Sequence, residues 1–131
     1  MELNFLAVAA GGFIGAILRY GISEWMGTIH GFPADVLIIN LVGSFFLAWF
    51  YTWTSGKVHF PASIRLGVGT GIVGAFTTFS TFCINFWSLW TADLWLESVL
   101  YVALSILLGT ALAFAGFALA EWQQKKGRTN A

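Results

Sequence analysis

Few side chains in this sequence can do chemistry, and those that can are surrounded by apolar residues. The densest group is Gly69-Thr70-Gly71-Ile72-Val73-Gly74-Ala75-Phe76-Thr77-Thr78-Phe79-Ser80-Thr81-Phe82. Glycine and β-branched residues gather at its middle, which favours a helix interruption near Gly74 to Thr78. An interruption inside lipid frees backbone carbonyls, which are tolerated only where protein, water or an ion satisfies them. An unwound turn of this kind can hold Na+ near a membrane midplane. The bland alternative is an intact helix whose Ser and Thr hydroxyls bond back to the preceding turn. Beyond the break, at 100° per residue, Thr77, Thr81, Asn85 and Ser88 fall within about 80° of one another, with Ser80 flanking them. Phe79, Phe82 and Phe86 cluster within about 60° on the other side. A phenylalanine stripe usually means packing, yet a ring edge carries partial positive charge and can face an anion. Hydroxyl donors beside ring edges make a dehydrated anion path.

Two further polar residues stand out. Arg19 sits about six residues before the end of its apolar segment, at a depth where a bare guanidinium costs at least ~2.5 kcal/mol. It either snorkels to the headgroups or lines an aqueous vestibule that attracts anions. Gly15 lies one turn earlier, so the Arg19 face is also a packing face, which favours the vestibule. Asn40 either hydrogen-bonds between helices or lines a pore, with Ser44 one turn further along the same face. Gly11/Gly15 and Gly67/Gly71 each make a GxxxG, and Ser105, Gly109, Ala113 and Gly116 form a small-residue stripe. Such stripes let helix backbones approach closely, within a chain or between chains.

The elements that must carry these residues follow from composition. The chain has 131 residues, 58% hydrophobic and 9% charged, with a mean hydropathy of +0.80. A soluble domain carries about 25% charged residues, so lipid is the expected solvent. Crossing a ~30 Å hydrocarbon core takes roughly 20 helical residues. Four segments qualify, about 5–25, 36–53, 63–89 and 96–122, followed by a polar tail at 123–131. The expected architecture is therefore an all-α membrane protein, 1–131 forming one four-helix transmembrane domain with a broken third helix. The seven tryptophans fall at or near the proposed ends, as an interfacial aromatic belt does. Lys57, Lys125, Lys126 and Arg128 share one side with both termini, with Arg65 just inside the third span, and the opposite loops hold no Lys or Arg. Taken alone, this bias favours both termini in the cytoplasm.

Other function classes find little support. The formal net charge is zero and no basic run suggests nucleic acid. Cys83 stands alone, excluding an intramolecular disulfide or a Cys-rich metal site, and His30 and His59 are isolated. No HExxH, GxSxG, GxGxxG or Walker pattern appears, so no enzyme is expected. The N-terminus lacks the basic stretch of a secretory signal, so the first segment is expected to be retained as a helix.

With these residues in view, the chain resembles the small fluoride channels of the Fluc (CrcB) family. The resemblance covers Gly-Gly-Phe-Ile-Gly-Ala-Ile-Leu-Arg (11–19), Asn40-Leu41-Val42-Gly43, and Gly74-Ala75-Phe76-Thr77-Thr78-Phe79-Ser80-Thr81-Phe82. It implies an antiparallel, dual-topology homodimer in a bacterial inner membrane, with two narrow fluoride pores and a structural Na+ on the dimer axis. On this sequence it implies that the carbonyls of Gly74 and Thr77 hold Na+ and that ring edges of Phe79 and Phe82 face fluoride. It implies further that Asn40 donates in the pore, that Arg19 sits by the vestibule, and that Ser80, Thr81 and Ser105 belong to a polar track.

Two features depart from the pattern. Cys83-Ile84-Asn85 stands where many relatives would have Ser-x-Glu, so Asn85 keeps a hydrogen-bonding group and loses a carboxylate. The Lys/Arg bias also sits badly with dual topology. The main alternative is a small proton-coupled multidrug exporter, but Glu2, Glu24, Asp35, Asp93, Glu97 and Glu121 all lie at span ends or in loops. A structural assembly subunit would explain the glycine stripes but not Arg19, Asn40 and the Thr/Phe track together.

Overall fold

The structure, a computed structural model of the chain, describes residues 2–29, 31–55 and 60–129, with side chains as far as Gly127. His30, Lys57, His59 and the Arg128 side chain lie outside the described residues. Four helical spans are long and apolar enough to cross a membrane: Glu2–Met26, Ala34–Ser55, Ala62–Thr91 and Trp95–Gly127. The first is helix α1 (Glu2–Met26) and the second α2 (Ala34–Ser55). The third is composite: α3 (Ala62–Leu66), a π-helical segment (Gly67–Val73), α4 (Gly74–Phe76), three irregular residues, then α5 (Ser80–Thr91). The last is α6 (Trp95–Thr129).

The expected interruption is therefore present, but it falls at Thr77–Phe79, at the late edge of the stretch that the sequence marks. The glycine-rich part before it stays helical in a widened π form. This is the usual departure of a helix under local packing demands near a functional site. The polar residues from Gln123 onward continue α6 without a break.

Glycine decides which helices touch. A Cβ on Gly11 would meet the Gly67 carbonyl, and one on Gly15 would meet the carbonyl of Ile72. Gly71 sits so close to α1 that its Cβ would lie 2.7 Å from the Val8 carbonyl. Both GxxxG pairs thus face each other and lock α1 onto the π segment. Gly116 does the same for α6, lying against the backbone of Phe45 and Trp49 on α2. Helix α2 packs chiefly on α6, and α5 folds back along α6, where Ser98 Oγ donates to the Phe86 carbonyl at 3.2 Å.

Little of the protomer is buried. Tyr101, Ile39, Thr54 and Ser98 are the largest fully buried side chains, while rings such as Phe5, Phe13, Trp25 and Phe114 lie open. In lipid that pattern is no liability, because acyl chains solvate apolar surface. At the far end, Gln123 Oε1 accepts from Trp49 Nε1 at 3.0 Å, and Gln124 Nε2 donates to the Thr52 carbonyl at 2.7 Å. The overhang of α6 thereby adds a second donor to a carbonyl in the last turn of α2 that also accepts from the Ser55 hydroxyl at 2.8 Å.

The neighbouring glycines 11 and 12 make an internal control. Gly11→Val should lower stability by roughly 1–3 kcal/mol through overpacking, whereas Gly12→Ala, with nothing within 4 Å of its Cβ, should leave it unchanged. Unfolding of the two variants in one detergent, followed by tryptophan fluorescence, checks this pair.

Candidate functional site

An unbroken helix would carry Thr77 through Ser80 with each N–H bonded to the carbonyl four residues earlier. Thr77 is the last residue to comply: its N–H and its hydroxyl both donate to the Val73 carbonyl at 2.9 Å. Its ψ then swings to 157°, an extended value, and the chain leaves the helix.

Past Thr77 the backbone takes side-chain partners at Thr78 and Thr81. The Thr78 N–H donates to Asn40 Oδ1 at 2.9 Å, and Asn40 Nδ2 donates to the Thr78 carbonyl at 3.0 Å. The Thr81 N–H donates to the hydroxyl of Thr78 at 3.2 Å, the bond by which a capping residue satisfies a helix start. That hydroxyl in turn donates to Thr81 Oγ1 at 3.0 Å and lies 3.4 Å from Ser80 Oγ. Thr78 is buried, and its bonds to Asn40 and Thr81 are partly screened from solvent.

The exchange leaves carbonyls over, and for two of them the helical donor is seen bonded elsewhere. In a continuous helix Gly74 O would accept from Thr78 N–H and Thr77 O from Thr81 N–H. Both donors are engaged elsewhere, by Asn40 and by the Thr78 hydroxyl. The freed pair is the pair that the family resemblance implies as cation ligands. Around Gly74 the space is open, with nothing within 4 Å of a Cβ built there. A cation needs hard oxygen ligands with room to approach, and these two carbonyls fit that requirement.

Helix α2 serves the break from two positions. Asn40 grips Thr78, and Gly43, one turn on, has no side chain and so leaves room for the Thr77 methyl. A cavity of about 250 Å³ opens beside them, lined in part by Asn40, Ser44, Thr77, Thr78 and Phe79. Ser44 also lines a wider groove of about 720 Å³ that reaches Ser105, Gly109 and Thr110 on α6. Ser44 and Ser105 donate their hydroxyl protons backwards, to the carbonyls of Asn40 at 2.8 Å and Tyr101 at 2.7 Å.

The aromatic residues form a stack rather than one stripe. Phe79 stacks on Phe82 with centroids 5.8 Å apart, and Phe82 on Tyr101 at 5.1 Å. Phe79 is 78% exposed on the protomer surface. Tyr101 is buried with its hydroxyl lacking a hydrogen-bond partner, and Asn85 lies beside it. Arg19 is half-buried, and among the described residues it has no ion pair or hydrogen bond.

Asn40, Gly74, Thr77, Ser80, Thr81, Phe79 and Phe82 thus lie together at or beside the break. Ser105 joins through the groove, and Arg19 stands on α1, outside this network. The Asn40 bond between helices is present, as one of the two sequence readings had it. Of the polar track drawn beyond the break, Thr81, Asn85 and Ser88 share α5, whereas Thr77 precedes the restart at Ser80 and leaves the track, as Phe79 leaves the phenylalanine stripe. Sequence reasoning passed over Thr78, although a threonine three residues before Thr81 at a suspected restart is a capping signal. It also passed over Gly43 as the seat of Thr77.

Comparison with known proteins fits this geometry. The family described as CrcB-like protein, Camphor Resistance (CrcB), matches residues 6–117. The chain belongs to the CrcB family. A relative from Oceanobacillus iheyensis, named fluoride-specific ion channel FluC, is 42% identical over 123 residues, covering 94% of this chain and 95% of that protein. FluC 1 of Bacillus cereus is 38% identical over 130 residues, covering 98% and 90%. FluC of Hahella chejuensis is 39% identical over 118 residues, covering 88% and 93%. These CrcB relatives are named as ion channels, not enzymes, and with its four apolar spans this chain is a multi-pass membrane protein.

Replacing the Thr78 hydroxyl tests its capping role. Thr78→Val should cost about 0.5–2 kcal/mol, the usual loss for a missing cap, while Thr110→Val, on the open groove, should cost little. Thermal unfolding in detergent distinguishes the two.

Proposed function

We propose that this chain is one subunit of a fluoride-selective channel that lets fluoride leave the cell passively and so relieves fluoride toxicity. The observation that carries the reading is the clamped break, set in a chain with relatives named fluoride-specific ion channels at up to 42% identity. Hydrogen fluoride is a weak acid that crosses membranes uncharged and dissociates at neutral pH. The trapped anion needs a protein path out.

Fluoride is small and strongly hydrated, so a narrow path must replace water with directed donors. Asn40 has two amide protons and uses one on Thr78, so the second is free to donate. Thr81 accepts from Thr78, which leaves its own proton for an anion, and Ser80 stands next to it. Ser105 extends this track once its hydroxyl rotates away from Tyr101. Phe82 has rings stacked against it, which favours presenting its positive edge rather than its negative face. Phe79 and Phe82 would meet fluoride in this way. Arg19 raises the anion concentration at the vestibule.

The exposed Phe79 and the open surface at Gly74 support assembly with a second copy, in the antiparallel, dual-topology homodimer expected from the resemblance. Gly74 and Thr77 carbonyls are suited to a structural Na+ at that interface. Bound there, Na+ would supply fixed positive charge that offsets the desolvation of the anion. The proposed setting is the inner membrane of a bacterium. A proton-coupled exporter gains no support, since the acids Glu24, Asp35 and Glu97 occupy the first or last turns of their helices.

Liposomes carrying the purified protein test the reading, with fluoride release followed by electrode beside chloride-loaded vesicles. Rapid fluoride release without chloride release is expected. Phe79→Ile and Phe82→Ile should each cut that flux at least tenfold while leaving the oligomer intact by size exclusion. Wild-type flux from both variants would rule out the ring-edge path, and no fluoride release from well-incorporated wild-type protein would sink the channel reading.

A further inference from the structure

We infer that Asn40 is a positioning residue: its carboxamide keeps the Thr78 N–H off the Gly74 carbonyl and so holds the third span open. The step from an open carbonyl to a Na+ ligand rests on the function proposed above; the positioning itself does not.

The direction of the amide is fixed by its partners. A backbone N–H can only donate and a carbonyl can only accept, so the two Thr78 contacts at 2.9 and 3.0 Å fix which end of Asn40 is oxygen. The oxygen end holds the Thr78 N–H, and the nitrogen end closes the pair. Aspartate at this position would accept from Thr78 but could not donate to its carbonyl. Leucine would do neither, and would leave a donor and an acceptor stranded in an apolar setting.

The stranded N–H would have a ready partner. The chain is helical through Phe76, and the Thr77 N–H still bonds to the Val73 carbonyl at 2.9 Å. Resealing the next turn needs chiefly one torsion, Thr77 ψ, to move from 157° to a helical value near −40°. The Thr78 N–H would then reach Gly74 O. With Asn40 in place, a bond from a residue 38 positions away takes that donor first. An amide that also reaches into the adjoining cavity with its spare proton thereby links the shape of the break to the permeation path.

The test reads the Gly74 carbonyl directly. The sequence contains two Gly-Ala steps, Gly15-Ala16 and Gly74-Ala75. Protein labelled with carbonyl-13C glycine and 15N alanine, in lipid nanodiscs, therefore gives two correlated signals, of which Gly15 is the internal control. In Na+-free buffer, Asn40→Leu should shift the Gly74 carbonyl signal towards a hydrogen-bonded helical value and leave Gly15 in place. Asn40→Asp, which still accepts the Thr78 N–H, should keep Gly74 at its wild-type position. A Gly74 signal unmoved in Asn40→Leu overturns the inference. If that variant does not fold, Asn40→Asp decides, since a shift of Gly74 towards the helical value in it overturns the inference equally. Na+ titration is a separate arm: it should move Gly74 in the wild type and no longer do so in Asn40→Leu. A wild-type signal indifferent to Na+ would remove the cation from the functional reading and leave the Na+-free comparison to judge Asn40.

Discussion

Inside a bilayer, a broken helix must find a new partner for every N–H and C=O that it releases, and the rest of this structure depends on how Thr77–Phe79 meets that demand. Two N–H groups are taken over by side chains, that of Thr78 by Asn40 and that of Thr81 by the Thr78 hydroxyl. The Thr78 carbonyl takes the other end of Asn40. The carbonyls whose donors are thereby diverted are those of Gly74 and Thr77. An excess of oriented carbonyl dipoles in a medium of low dielectric has a strong affinity for a cation, so the break carries an electrostatic preference as well as a shape.

That local arrangement dictates the packing around it. For Asn40 to reach Thr78, α2 must lie close to the third span, and Gly43 makes the approach possible by leaving space for the Thr77 methyl. On the other side, α1 must press against the π segment, and glycines on both partners allow their backbones to meet. The residues that bring the helices together carry almost no side chain, and the residues that do the chemistry occupy the gaps between them. The break is thus flanked by close backbone contacts of its neighbours and by a capped helix, α5, downstream.

Much of this is legible in the residues. The four spans follow from the length of the apolar runs, and the interruption follows from glycine and β-branched residues clustering in mid-span. The diversion of the Thr78 and Thr81 donors leaves over the carbonyls of Gly74 and Thr77, for which the resemblance implies a cation. The site of the break to the residue is not readable, because it depends on tertiary bonds: Asn40 supplies its partners from a different helix, and periodicity within one segment carries no trace of them. The angular grouping of Thr77 with Thr81 fails for the same reason, since it assumes a helix that Asn40 prevents. Thr78 is readable as a cap only once the restart at Ser80 is fixed.

The overhang of α6 has a mechanical consequence. At 35 residues the helix is about 52 Å long, far beyond a hydrocarbon core of ~30 Å, and Gln123 and Gln124 fasten its projecting part to the end of α2. The α2–α6 pair is therefore a post of fixed length whose register cannot slip. When the bilayer thins or thickens, this pair can respond only by tilting as one body. The neighbouring span, jointed at Thr77–Phe79, is the element with the freedom to follow the lipid, so bilayer thickness bears on the protein at that joint.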